Sequence, residues 1–330
     1  MNSLPKGQRG IALLVALLTV ALAAVLIAGL LDRGELALAR TRNALRTEQA
    51  EAYAQGLEAY AAEVLLKDLA DDPNIDTNAD IWAAGLPPQP VAGGVITGSI
   101  HDLNGCFNLN NLADANSGNA ATSLKIFQRL LDARGVTRDI AGFTMEWLGV
   151  GTTSGSDATD AYYLAQPVPY RSAQRAFAHV SELRLVRGVT SDIYARIAPY
   201  VCALPTGTLI NVNTASVSVL QALATMTQAQ AENLWQNGQA RWSGADKFLQ
   251  ALQPQNIQAD PGLANLIATT STYFVARGDV GLDAVPFTFY SLIERGNGAI
   301  RVVERSRGGD AALDESASPT LPGRTMDASP

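Results

Sequence analysis

Apolar and polar positions alternate differently in successive stretches of the chain, and each stretch predicts a different element. Ile11–Leu31 is a run of 21 residues without a charge, preceded by the polar segment MNSLPKGQRG with Lys6 and Arg9. At about 1.5 Å per residue, such a helix is about 30 Å long and can cross the hydrocarbon core of a bilayer. From Asp32 to about Leu69 the pattern remains helical but turns polar, rich in Ala, Leu, Glu, Gln and Arg. Within it Tyr53, Leu57, Tyr60 and Val64 recur at helical spacing and predict one apolar stripe, which needs a surface to pack on. Asp71-Asp72-Pro73 ends the helix, since proline cannot continue it.

Beyond the helix, residues 73–98 are rich in Pro and Gly, including Leu86-Pro87-Pro88-Gln89-Pro90, and read as loop with short extended pieces. Gly94–Asp102 alternates as a strand does, then runs through DLNGCFNLNNL into a turn and a short strand. The middle, residues 113–268, is helical. It repeats the pattern Arg-Gly-Val-Thr-x-Asp-Ile at 134–140 and 187–193. In each copy Gly closes one helix, Thr caps the next and Asp sits in its first turn, which predicts two helical hairpins. Thr272–Val280, Val285–Arg295 and Ala299–Arg305 are aromatic and β-branched, and Gly296-Asn297-Gly298 marks a hairpin between the last two. The polar tail after Ser306 is expected to be disordered. The fold class is therefore α+β: a long helix on a small antiparallel sheet, with a large α-helical domain inserted between strands.

Composition and charge narrow the functions open to this chain. Apolar residues make up 47%, ample for a core after the membrane segment is set aside. Two cations before the apolar run and an acidic body after it place the N-terminus in the cytoplasm and export the rest. In an oxidising compartment Cys106 and Cys202 read first as a disulfide, worth about 4–5 kcal/mol in the chain-entropy model. They make a poor metal site, because structural zinc wants four ligands at short paired spacings. The net charge of −7 argues against binding a phosphate backbone. LINVNTA, at 209–215, resembles the start of a helix-hairpin-helix module, so a membrane-anchored DNA-binding protein is an alternative. Its hairpin, Leu223–Thr227, lacks glycine and nearby cations, so no nucleic-acid partner is expected. His101 and His179 are the only histidines, neither in a metal or triad motif, and there is no Gly-x-Ser-x-Gly elbow or phosphate-binding loop. His179 precedes Val180-Ser181-Glu182 at the start of a helix and reads as structural. Enzyme activity is not expected.

The first apolar run admits three readings. A cleaved secretory signal wants a shorter core and a nearby small-x-small site, whereas Ala37-Leu38-Ala39 lies beyond Asp32, Arg33 and Glu35. A plain membrane anchor fits the hydropathy. Third, KGQRG followed by IALLVALLTVALAAV resembles the type IV prepilin leader, in which a peptidase cuts after glycine on the cytoplasmic side. That resemblance marks Gly10 and Ile11 as the processing site. Pilins of this kind usually carry Glu at the fifth mature position, and here that position is Val15. A carboxylate in hydrocarbon needs a partner from the subunit above, so its absence suggests a subunit with nothing above it.

Taken together, the QRG-IALL junction, DLNGCFNLN, AYYLAQPVPYR, VSELRLVRGV, YARIAPYVCALP and LINVNTA make the chain similar to the K-type minor pseudopilins of the bacterial type II secretion system. A minor type IV pilin-like subunit is the alternative nearest to it. The resemblance implies removal of residues 1–10 by prepilin peptidase and methylation of the Ile11 amine. It implies an inner-membrane protein that caps the tip of a periplasmic pseudopilus and promotes its assembly. The implied partners are the I- and J-type minor pseudopilins, the major pseudopilin and the inner-membrane assembly platform. The expected organisation is a leader (1–10), a transmembrane part of the long helix (11–31) and its periplasmic part (32–72). A first pilin-like β region (73–112), the inserted helical domain (113–268), closing strands (269–305) and a tail (306–330) follow. No cofactor is required. Some members of the family bind calcium in the loop between a Trp and the Tyr-Tyr segment, here 147–160, which makes Asp157 and Asp160 candidate ligands. Gly149 stands where relatives tend to have Asp, and a solvated acidic loop is the other reading. Asp114-Ala115-Asn116-Ser117-Gly118 begins like an EF-hand loop but has Lys125 where the bidentate Glu belongs.

Overall fold

The first helix, α1 (Lys6–Asp71), is 66 residues long and runs without a break from the apolar segment into the polar one. The structure, a computed structural model, describes residues 6–114, 118–151, 157–296 and 298–307, the side chains of 6–12 and 157–159 excepted. The tail after Arg307 therefore lies outside the described residues, and so do Ala115–Ser117 of the EF-hand-like segment. Residues 1–55 and 56–330 form two compact units. In the first, every described residue from Leu13 to Leu45 is exposed, so the apolar run meets no protein surface. In the second, the remaining turns of α1 bury Leu57, Ala61, Val64 and Leu65.

This buried stripe differs from the predicted one, for Tyr60 is 47% exposed and Ala61 takes the inward place. The reason lies in the sheet. Ideal Cβ atoms at Gly98 and Gly278 would lie 3.5 and 2.8 Å from the Leu57 side chain, so the two glycines let the helix approach closely. Small and aliphatic residues fit that contact, and a tyrosine does not.

The sheet has five antiparallel strands in the order β1-β2-β7-β8-β9. These are β1 (Leu86–Val91), β2 (Gly94–Asp102), β7 (Tyr273–Leu282), β8 (Val285–Arg295) and β9 (Ile300–Arg307). The face toward α1 carries Ile100, Phe274, Ala276 and Ile293, closed by Ala61, Val64, Leu65 and Trp82. β1 is one of the short extended pieces expected in this stretch, and it forms an edge strand. Pro87, Pro88 and Pro90 are compatible with a ladder on one side only, and the pairing with β2 shifts register between Leu86 and Gln89.

Strands β2 and β7 are neighbours, and the chain from 103 to 272 leaves and returns between them. That stretch holds α2 (Ala120–Ala133), α3 (Asp139–Leu148), α4 (Asp157–Leu164), α5 (Ser191–Ile197), α6 (Val217–Leu223), α7 (Gln228–Trp235) and α8 (Ala245–Leu252). Two short parallel pairs brace it: β3 (Phe107–Asn108) with β4 (Val201–Cys202), and β5 (Ile210–Asn211) with β6 (Ile267–Ala268). Its core gathers Phe107, Ile126, Phe127, Leu130, Leu131 and Leu220, all essentially without exposure. In the internal repeat Gly135 and Gly188 both adopt positive φ, at 65° and 78°. The copies differ otherwise. Thr190 Oγ1 accepts from Ile193 N at 3.2 Å and caps α5, but the element before Gly188 is a 3-10 turn, Val180–Leu185, rather than an α-helix. In the first copy the residue before α3 is Arg138, and Thr137 Oγ1 accepts only from Asp139 N, at 3.4 Å.

Candidate functional site

Gly10 and Ile11 lie in the opening turns of α1, and the side chain of Ile11 is outside the described set. Val15 is 54% exposed, amid an exposed stretch of Leu, Val, Ala and Ile. A helix with this much uncovered apolar surface is at home only in lipid or against another protein. Its length and composition are enough to cross a membrane.

Cys106 and Cys202 are joined, with Cα atoms 5.9 Å apart at a sequence separation of 96. The bridge ties the segment leaving β2 to β4. Around it the DLNGCFNLNNL stretch works through its asparagines. Asn104 Nδ2 donates to Leu209 O at 2.9 Å while its Oδ1 accepts from Tyr273 N at 2.9 Å. Asn108 Oδ1 accepts from Leu204 N at 3.0 Å, and its amide donates to Pro205 O at 2.9 Å. Asn110 donates to Phe177 O and Leu204 O at 3.0 and 2.8 Å and accepts from Phe177 N at 2.8 Å. Asn211 and Asn213 of LINVNTA do the same for Asp76 O at 3.1 Å and for Trp242 O and N at 3.1 and 2.7 Å. Each side chain imitates a strand partner for a distant backbone segment, and buried amides must be satisfied in this way. The turn and short strand expected from the sequence are present, as β3 shows, but the expectation does not include the network. The signal was four asparagines, at 104, 108, 110 and 111, spaced among apolar residues.

A second polar cluster joins the end of α1 to the sheet. Arg295, at the end of β8, reaches Asp68 on α1 at 3.1 Å and both oxygens of Asp76 at 2.5 Å. Its Nη2 also donates to Ser271 O at 3.0 Å, and its guanidinium lies 4.7 Å from the Phe274 ring centre. Asp80 completes a trio of carboxylates with one oxygen of each within 4.8 Å of the others. The Arg295 guanidinium already pairs with two of the three, Asp68 and Asp76. Asp102 is held by Asn104 N at 2.7 Å, by Ser271 Oγ at 2.9 Å and by the Thr214 hydroxyl. Desolvation nevertheless pushes its carboxyl up to about 6.

The two histidines have structural tasks. His179 caps the Val180–Leu185 turn: its Nδ1 accepts from Ser181 N at 3.1 Å, and Glu182 reaches back to His179 N at 3.3 Å. His101 Nε2 meets Ser99 Oγ at 3.1 Å on the sheet face away from α1. Burial and the nearby Arg277 lower its pKa, so it stays neutral. It lines a groove of about 470 Å³ between that face and the helical block, together with Tyr200, Tyr290, Leu292 and the disulfide.

Of the candidate calcium ligands, Asp160 accepts from Ser172 N and Oγ, both at 3.3 Å, and pairs with Arg171 at 3.4 Å. The side chain of Asp157 and the loop 152–156 lie outside the described residues. In the EF-hand-like segment Lys125 is committed to Asp260 at 3.3 Å. The helix-hairpin-helix reading survives only as shape. Ser216 and Thr227 cap α6 and α7, but Ala224 in the hairpin is fully buried and bridged to Ala259. Its backbone is used internally and offers no phosphate cradle.

Comparison with known proteins places this architecture. A family model described as "Type II secretion system (T2SS), protein K" matches residues 105–206. The type II secretion system protein K of Pectobacterium carotovorum subsp. carotovorum is 34% identical over 323 residues, 92% of this chain and 97% of its own. That of Pseudomonas aeruginosa is 34% identical over 318 residues, 92% of this chain and 94% of its own. Among solved structures, a chain from the crystal structure of the GspK-GspI-GspJ complex of enterotoxigenic Escherichia coli superposes with a TM-score of 0.71 at 28% identity. It covers 82% of this chain and 99% of the solved one. The matched proteins are named as components of a secretion apparatus rather than as enzymes.

Proposed function

The chain belongs to the type II secretion system protein K family and is a minor pseudopilin of that system, and from this premise we propose that it caps the tip of the pseudopilus and promotes its assembly. The observation that carries the reading is Val15 in the uncharged stretch 11–31 of α1, exposed from Leu13 onward. A subunit inside a filament needs a carboxylate there to meet the amine of the subunit above; a subunit with nothing above it does not. The helical block of residues 113–268, set between two neighbouring strands, adds bulk that a terminal subunit can carry without obstructing a stack.

In this reading prepilin peptidase cuts after Gly10 and the Ile11 amine is methylated. Residues 11–31 span the inner membrane once, with the N-terminus cytoplasmic and the globular part periplasmic. The I- and J-type minor pseudopilins are the direct partners, as in the complex of the Escherichia coli relative. The major pseudopilin and the assembly platform engage the resulting tip. A role in holding calcium is not part of the proposal, because Asp160 is already committed to Ser172 and Arg171.

Two measurements test it. Intact mass and N-terminal sequencing from cells with an active prepilin peptidase should give a chain starting at N-methylated Ile11, and a chain starting at Met1 would reduce the protein to a plain anchor. Gold-labelled antibody against the helical block should decorate one end of each isolated pseudopilus. Decoration along the shaft would rule out the tip position.

A further inference from the structure

We infer that Asp68 holds a proton beside Asp76 and Arg295, making the junction of α1, the 72–80 loop and the sheet a latch that loosens as pH rises. The geometry sets up the imbalance. The side chains of Arg295, Asp76 and Asp68 are only 3%, 2% and 9% exposed. Asp80 brings a third carboxylate within 4.8 Å. From the end of β2, Asp102 faces the same interior across Ser271. Among the described residues, Arg241, half-exposed, is the other cation reaching this group; it is 2.5 Å from Asp72 and reaches Asp80 at 3.7 Å. Lys67 on the outer side of α1 is taken by Asp71 at 2.8 Å. One buried guanidinium thus serves two buried carboxylates with further negative charge behind them. Two carboxylates this close cannot both ionise cheaply without water, and a proton is the smallest remedy. Consistent with this, desolvation and the charges of Asp80 and Asp76 push Asp68 up to about 7, against the pull of Arg295.

The latch joins more than two elements. Asp76 Oδ2 accepts from Ser271 N at 2.6 Å, and the Asp76 carbonyl accepts from Asn211 Nδ2 at 3.1 Å. Asp76 and Arg295 therefore join the start of β7, the end of β8 and the helical block, and Asp68 ties α1 to them through Arg295.

The sign follows from proton counting. An unfolded aspartate titrates near 3.9, so between about pH 4 and pH 7 the folded chain holds a proton that the unfolded chain has lost. This contribution is fully present below about pH 4 and is lost as pH rises to about 7, by about tenfold in the folding constant per pH unit. Asp102 acts in the same direction up to about pH 6. His101, with its lowered pKa, acts in the opposite direction below its ordinary value. Both are common to a variant at Asp68 and cancel in the comparison with it.

The test is thermal or urea unfolding of the full chain in detergent from pH 5 to pH 8, for the natural sequence and for Asp68→Asn, which imitates the protonated form. The ratio of folding constants, natural to variant, should fall about tenfold per unit up to about pH 7 and then level off. Parallel profiles would overturn the inference. Should Asp68→Asn not fold, infrared spectra of the natural chain decide. A carboxylic-acid carbonyl band that disappears near pH 7 supports the latch, and the absence of any band titrating there overturns it.

Discussion

Arg295 shows how much one side chain can hold in this fold. It forms a forked contact with Asp76, a single one with Asp68, donates to the Ser271 carbonyl and stacks on Phe274. Lysine could reach one of these partners but not the set, because only the planar guanidinium presents several donors in fixed directions. Arg295→Met leaves Asp68 and Asp76 buried and uncompensated, and should destabilise the chain by about 3–5 kcal/mol at pH 7. The loss should shrink at pH 5, where Asp68 is protonated and one buried charge fewer is left uncompensated, and urea midpoints at the two pH values read the difference. An equal loss at both would mean that Arg295 acts by packing alone. None of this was legible beforehand. Asp68, Asp76 and Arg295 are separated by up to 227 residues, and only the folded sheet brings them together.

Elements were more legible than residues, and the misses have physical causes. The long helix, the three C-terminal β segments and the helical middle follow from hydrophobic period and helix- or strand-forming residues. The proline-rich run is expected as loop with short extended pieces, and β1 is such a piece, lying at the edge where only one side of the ladder is paired. In the helix stripe the spacing places Leu57 and Val64 on the buried face, while Tyr60 points outward and Ala61 is buried instead. The asparagines of 104–111 pair with distant backbone that only folding brings close, which the turn and short strand expected there do not reveal. At this scale the disulfide is the test. It closes a loop with 96 residues of separation, so Cys106→Ser with Cys202→Ser should lower stability by about 4–5 kcal/mol in the chain-entropy model. A urea midpoint that falls with reductant in the natural chain, and no further in the double variant, would identify the bridge as the cause. A midpoint unmoved by reductant would assign the fastening to the asparagine network instead.

At the scale of the whole molecule, the protein K fold combines a lipid-compatible helix with a head whose polar groups are largely spent on its own assembly. The groups that looked chemical in the sequence are occupied: His179 caps a turn, both cysteines form a bridge and Asp160 holds Ser172. The relatives are components of a secretion apparatus, which directs attention to how subunits meet, and Val15 is where a single change discriminates between positions in a filament. Val15→Glu places a carboxylate among exposed apolar side chains, at a cost of about 2.5–3.5 kcal/mol near the centre of a bilayer. Inside a shaft that cost is offset by the amine of the next subunit, so the variant would assemble as well as the natural chain or better. At a tip no amine lies above, and the carboxylate stays unpartnered. The tip reading therefore predicts weaker incorporation and reduced secretion for Val15→Glu, with Val15→Leu behaving like the natural chain. The readouts are the amount of a secreted reporter in the medium and the yield of the I- and J-type partners co-isolated with the variant. Undiminished secretion by Val15→Glu would place this subunit beneath another one.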